Sequence, residues 1–279
     1  MQSVNQKMET KIRKLAIIAG DGDIPIKLVA ECIKKNINYV LILIEGHGKD
    51  LKKLYKPDFV VSLSKIGKAI KFSKSAKVSD IIMVGGVKRP SFKKMIPDLW
   101  TAKFLAKIGS KISGDNSILS NLAKELEREG FNILSAEDIL PNLICPKGVI
   151  GKFKPDDNNK KDIKIGFEIA KNIGENDIGQ SLVIQNGLVL AVEAAEGTDS
   201  MILRSKSLKI EEKGGIFIKV LKPNQDNRMD RPVVGVNTLK AVLNSGLDGL
   251  ALEANSIFIL NYNSVVEFAD NNNLFIIGV

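Results

Sequence analysis

The chain has 279 residues, 44% hydrophobic and 26% charged, the balance of a globular protein long enough for two modest domains. Aromatics at 5% leave a base-stacking platform poorly supplied, so nucleic acid is not an expected partner. The net charge of +9 is uneven: from Lys49 to Lys111 the only acids are Asp50, Asp58, Asp80 and Asp98, a surface that suits an anionic partner and equally reads as ordinary solvated lysine faces.

"KLAIIAGDGDIPIKLVAECI" (14–33) predicts a buried strand, a tight glycine turn and an amphipathic helix with Pro25 at its first position. Strands follow at 39–46, 58–63 and 80–86, with a helix at 66–77. Strands alternating with helices imply a parallel, doubly wound sheet. Helices are expected at 100–111, with Trp100, Phe104 and Ile108 on one face, and at 113–131, capped by Asn116 or Ser117 and closed by Gly130. The stretch 140–162 holds three prolines and no clear periodicity, which places a domain boundary there. A helix is expected at 163–174. Asn186-Gly187 joins two apolar strands within 181–197, the best hairpin signal in the chain. A strand at 215–223 leads to "QDNRMDRPVVG" (225–235), and the tail alternates: helix 237–245, strands 249–254 and 256–260, helix 264–270, strand 274–279. Cys32 and Cys145 have no partner at ligand spacing, so neither a disulfide framework nor a zinc site is expected and a reducing compartment fits. With no apolar run near the ~20 residues of a bilayer span and no apolar signal core, the expected location is cytoplasmic.

Four constellations could carry chemistry. Gly20-Asp21-Gly22 opens a helix whose free N–H groups attract phosphate, but the third glycine of a dinucleotide fingerprint is missing and a plain tight turn reads as well. "ISGDNS" (112–117) is either ordinary capping or an anion site, with Asp115 as a metal contact. In 175–202, Thr198 reads as a helix cap with Gly197 allowing the turn, while capping does not explain Glu193 at the end of an apolar strand. In "QDNRMDRPVVG", Asp226, Arg228 and Asp230 supply the groups that phosphoanhydride hydrolysis needs, carboxylates for a cation or a water and an arginine for phosphate. A surface ion pair is the even alternative.

These segments, in this order, resemble the LpxI family of UDP-2,3-diacylglucosamine pyrophosphatases of lipid A biosynthesis. The carrying stretches are "LAIIAGDGDIP", "GGVKRPSF" (85–92), "SGDNSIL" (113–119), "DIGQSLVIQNGLVLAVEAAEGTDSMI" (177–202) and "KPNQDNRMDRPVVGVNTL" (222–239). The resemblance implies a Rossmann-like domain at 1–140 and a catalytic α/β domain with a mixed sheet at 141–279, with the substrate between them. It implies Mg²⁺-dependent hydrolysis by water attack at the α-phosphorus to give UMP and the lipid 1-phosphate; the sequence leaves open whether Mn²⁺ replaces Mg²⁺. The family's essential aspartate falls on Asp230, with Arg228 beside it as a second catalytic group. Asp226, Glu193 and Asp199 join Asp230 as candidate metal ligands. Gly20, Gly22, Gly86, Lys88, Gly114, Gln180, Thr198 and Lys222 are candidate substrate contacts. Two positions leave the family pattern: Asp21 replaces a glycine, and Arg231 replaces a leucine, where it alters packing or adds a phosphate contact. Expected partners are the nucleotide-linked lipid, the inner membrane surface through the basic 100–111 helix, and a second copy of the chain. A nicotinamide-dependent oxidoreductase and a non-catalytic UDP-sugar binder are the rival readings.

Overall fold

The computed structural model describes residues 12–88, 96–109, 115–223 and 225–279, without the side chains of 115–117. Internal contacts divide the chain into two compact units, Met1–Lys111 with Asn121–Ile139, and Ile112–Ser120 with Leu140–Val279.

The first unit is built on a parallel sheet of β1 (Leu15–Ala19), β2 (Tyr39–Ile44), β3 (Phe59–Val61), β4 (Asp80–Val84) and β5 (Asn132–Ile133), in the order β3-β2-β1-β4-β5. Leu15, Ala16 and Ile17 are wholly buried, which is why β1 shows no alternation: a central parallel strand is covered on both faces. Helices α1 (Asp23–Lys34), α2 (Lys49–Leu54), α3 (Ile66–Ser75) and α4 (Leu99–Ile108) accompany the sheet, as does α5 (Asp115–Arg128) from Asn121 onward. Pro25 falls on the third residue of α1 rather than the first, still within the turn whose N–H groups have no helical acceptor. The short α2 was not anticipated; six residues, half of them lysine, give no periodicity to read. Phe104 and Ile108 are buried on α4 as expected, while Trp100 is half-buried and donates its indole N–H to Glu129. The expected caps Asn116 and Ser117 lie outside the described side chains.

The second unit holds a six-stranded mixed sheet in the order β6-β13-β11-β9-β7-β8. Its strands are β6 (Gly148–Ile150), β7 (Ser181–Gln185), β8 (Leu188–Val192), β9 (Ile216–Lys219), β11 (Gly249–Leu252) and β13 (Phe275–Gly278). Strands β9, β11 and β13 are parallel; β6 and β7 pair antiparallel to them, and β8 to β7. A separate two-stranded ladder joins β10 (Val233–Val234) to β12 (Phe258–Ile259). Ile163 and Ala170 of α6 (Asp157–Glu175) pack on Leu182, Ile184, Ile216 and Ile218. The other face receives Met201 and Ile202 of α7 (Thr198–Ser205), Leu239 and Val242 of α8 (Val236–Asn244), and Val265 of α9 (Tyr262–Asn271). α6 begins six residues before the sequence reading placed it. A capping box explains the early start: Asp156 accepts the Asn159 N–H at 2.8 Å, and Asn159 accepts the Asp156 N–H at 3.2 Å.

The hairpin follows its sequence signal. Asn186 (φ 51°) and Gly187 (φ 80°) form the two-residue turn between β7 and β8. The buried Asp162 carboxylate receives the backbone N–H groups of both, at 2.8 and 2.6 Å. Asp162→Ala removes the buried acceptor of two turn N–H groups, which water can then reach at the exposed turn, and is expected to lower stability by about 1–2 kcal/mol, read as a shift in the urea midpoint.

Candidate functional site

In the first unit, the expected phosphate turn sits where β1 and β4 end, the switch point of the strand order. Gly20 donates its N–H to Val84, and Asp21 and Gly86 exchange both backbone hydrogen bonds, at 2.8 and 2.9 Å. A Cβ on Gly20 would collide with the Gly86 carbonyl oxygen, so this close approach requires glycine. Gly22 caps α1, and Lys88 is exposed beyond Gly86, so Gly20, Gly22, Gly86 and Lys88 share one end of the sheet. Gly114 lies outside the described residues.

Asp21 turns its carboxylate away from a ligand role. Its Oδ2 lies 2.6 Å from His47 Nδ1, which must carry its proton there, and its Oδ1 accepts the Gly48 N–H at 2.7 Å. The His47 hydrogen bond, then the Gly48 N–H, hold the Asp21 carboxyl below its ordinary value of 3.8; the Lys88 charge adds to this. A carboxylate with a lowered folded-state pKa contributes stability above that ordinary value, and loses it as pH falls through the lowered one. Asp21→Asn is therefore expected to reduce stability at neutral pH and to flatten its fall below pH 3.8. Urea melts across that range measure both effects, and the half-exposed side chain keeps them small.

The second unit gathers a denser constellation. Lys219 ends β9 opposite Ser181, and Glu193 follows β8 with its N–H on the Ser181 carbonyl, so strand register brings the three side chains to one face. Lys219 is only 3% exposed and Glu193 8%. Lys219 Nζ donates to Thr198 Oγ1 at 2.7 Å, and Thr198 Oγ1 donates to Glu193 Oε1 at 2.7 Å. The other Glu193 oxygen accepts the Ser181 hydroxyl at 2.6 Å. Burial pushes the Lys219 ammonium below its ordinary value, and the charges of Glu193, Asp199 and Asp230 oppose that shift. Asp199 and Asp230 are exposed.

Thr198 is thus not the helix cap that its sequence position suggested. Gly197 occupies the N-cap with no side-chain bond, and the Thr198 hydroxyl joins lysine to glutamate. Glu193, unexplained by capping, is satisfied by two hydroxyls beside a buried cation.

The remaining predicted residues are held in other ways. Arg228 donates Nε and Nη2 to the two Asp226 oxygens, at 3.0 and 2.8 Å, and Lys222 Nζ reaches Asp177 at 2.6 Å. Asp230 accepts Gln225 Nε2 at 2.9 Å at the end of the turn, where its N–H bonds the Asp226 carbonyl. The buried Oε1 atoms of Gln225 and Gln180 accept no hydrogen bond from the described residues. Arg231 Nη1 donates to the carbonyls of Asn255 and Ser256, and the guanidinium lies 5.5 Å from the Phe258 ring centre. Its place is accounted for by loop packing. Among the described residues no three acidic, histidine or cysteine side chains stand at the spacing of a metal cage. Lys219 is the residue that sequence reasoning missed; a lysine at the end of the buried run "GIFIK" was its signal.

Comparison with known proteins gives this arrangement its context. The LpxI N-terminal domain matches residues 14–143 and the LpxI C-terminal domain residues 146–277. A UDP-2,3-diacylglucosamine pyrophosphatase LpxI from Caulobacter vibrioides is 33% identical over 275 residues, covering 96% of this chain and 98% of that protein. With both of its domain patterns matched in order and a relative aligned almost end to end, the chain belongs to the LpxI family.

Proposed function

We propose that the protein hydrolyses the pyrophosphate bond of UDP-2,3-diacylglucosamine, releasing UMP and 2,3-diacylglucosamine 1-phosphate in lipid A biosynthesis. The observation that carries this is the near full-length similarity to a pyrophosphatase of that name, and the stretches "EGTD" and "RMDRP" of this chain supply acids whose charges act on Lys219. In the reaction, a water oxygen bonds the α-phosphorus and the bond to the bridging oxygen breaks. UMP keeps the water oxygen, and the bridging oxygen leaves with the lipid phosphate. Such a transition state needs positive charge at the phosphoryl oxygens and a water in line.

Mg²⁺ is the cofactor that the resemblance implies. A closed cage of protein acids does not fit: Glu193 is taken by two hydroxyls and Asp226 by Arg228. A hard cation held by one or two carboxylates and completed by substrate phosphates does fit. The donors present for it are the exposed Asp199 and Asp230, with the orphaned amide oxygen of Gln225 next to Asp230. Bound there, Mg²⁺ would polarise a phosphoryl oxygen. The chain's own part is to hold Asp230 in place, through Gln225 Nε2 and the turn that Asp226 accepts, and to neutralise the acids through Lys219.

Asp230→Ala is expected to abolish hydrolysis while the thermal melt and much of the substrate affinity remain. Near-normal turnover would overturn the assignment, and unaltered function with no wild-type turnover would indicate UDP-sugar binding without catalysis. In ¹⁸O-water the label should enter UMP; label in the lipid phosphate would contradict attack at the α-phosphorus.

Contact with a membrane surface is part of the same proposal. Ile96 and Leu99 are 80% and 74% exposed at the start of α4, and Lys103 follows one turn after Leu99, whereas Lys107 is paired with Glu125. Leu99→Ala with Lys103→Glu should weaken binding to anionic vesicles in a flotation assay; unchanged binding removes this element.

A further inference from the structure

A buried ammonium is a costly thing to place at a strand end, and chains keep one there where its charge is needed. Lys219 follows Phe217 on the face that packs α7 and α8, so a purely structural solution was an apolar side chain like its neighbours Ile216 and Ile218. Instead the chain supplies an ammonium. Its hydrogen-bond acceptor among the described residues is the Thr198 hydroxyl, which in turn donates a hydrogen bond to Glu193. The other two carboxylates acting on it, Asp199 and Asp230, come from the start of α7 and from the turn after β9, and both are exposed. Next to Asp230, the buried Gln225 Oε1 offers an acceptor with no donor among the described residues. The arrangement therefore combines a buried resident cation with exposed carboxylates.

We propose that Lys219 is a positioning residue for this site, a built-in cation that holds Glu193 through Thr198, stands within reach of the charges of Asp199 and Asp230 in advance of any divalent cation, and competes with that cation for them. It acts through Thr198 and through its field on the two exposed acids; at 3% exposure it does not itself meet the substrate. The part of this inference that concerns turnover rests on the proposed function; the part that concerns cation affinity does not.

Removing one positive charge from among these carboxylates should tighten a divalent cation by about tenfold, at the effective dielectric of such sites. It should also slow the reaction roughly 10- to 100-fold, as losses of supporting residues do. The test titrates Mn²⁺ into the substrate-free protein, reads the free ion by EPR, and measures kcat and KM separately. Lys219→Met and Lys219→Gln are expected to bind Mn²⁺ more tightly than wild type yet turn over more slowly, mainly through kcat. Lys219→Arg should bind Mn²⁺ as wild type does and recover part of kcat. A role in packing alone predicts no tightening. Unchanged or weaker Mn²⁺ binding in the charge-removing variants, or no Mn²⁺ bound by any of the proteins, overturns the inference.

Should neither charge-removing variant give a cooperative melt, Thr198→Val decides. It releases the ammonium from its acceptor and keeps every charge, so kcat should fall at least about tenfold with Mn²⁺ affinity within about twofold of wild type. An unchanged kcat overturns the inference. If wild type does not hydrolyse UDP-2,3-diacylglucosamine at all, the proposed function fails, and Mn²⁺ titration of the Lys219 variants alone decides this inference.

Discussion

A lysine buried against a glutamate through one threonine hydroxyl sets the terms for the second unit. Neither charge is tolerable alone in that position, because an uncompensated buried ion costs several kcal/mol. Lys219, Thr198 and Glu193 must therefore stay in contact, and they lie at the end of β9, the start of α7 and just past β8. The same constraint fixes register. Ser181 faces Lys219 across the β7–β9 ladder and donates its hydroxyl to Glu193, so a slip of one residue between these strands would put the two side chains on opposite faces of the sheet. Polar pairing at this end of the sheet and apolar packing along its length thus select the same alignment.

In the first unit a backbone constraint plays the corresponding part. β1 and β4 approach so closely at their ends that Gly20 cannot carry a side chain, and Asp21 and Gly86 pair directly. Asp21, where the family pattern has glycine, is accommodated because its side chain leaves the turn and is claimed by His47 and Gly48. The chain's single histidine is used as a brace for that departure. The Asp21 carboxylate, turned towards His47 and Gly48, thus braces the loop that follows β2.

Much of the architecture was legible because local signals and tertiary context agree. The apolar run of β1, the Asn186-Gly187 turn and the spacing of α8 and α9 each point the same way as the packing around them. Reading failed where a residue had two possible uses. Thr198 beside Gly197 looks like a cap, yet its hydroxyl is claimed by partners 5 and 21 residues away, which only the folded sheet brings near. The first turns of α6 were hidden by a polar surface stretch whose organising signal was a capping box, not a periodicity. Lys219 has only a faint local signal, the apolar run that it ends, because a lysine at a strand end normally snorkels to water.

The loop 225–235 shows how two readings of one stretch can both hold. Asp226 and Arg228 form the ion pair that a surface loop would be expected to carry, and that pair shapes the turn whose Asp226 carbonyl receives the Asp230 N–H. Pro232 then ends the turn, its carbonyl accepting the Phe258 N–H, while Arg231 ties the other side of the loop to the carbonyls of Asn255 and Ser256. Arg231 thus anchors the loop by two carbonyl contacts and a ring face. The ion pair and the anchor are structural in themselves, and they are what hold Asp230 at an exposed position within the field of Lys219. A carboxylate in that place is constrained from both ends of its loop, and the proposed role of Asp230 asks for that constraint, because a group that acts on a phosphoryl centre must be held in place beforehand.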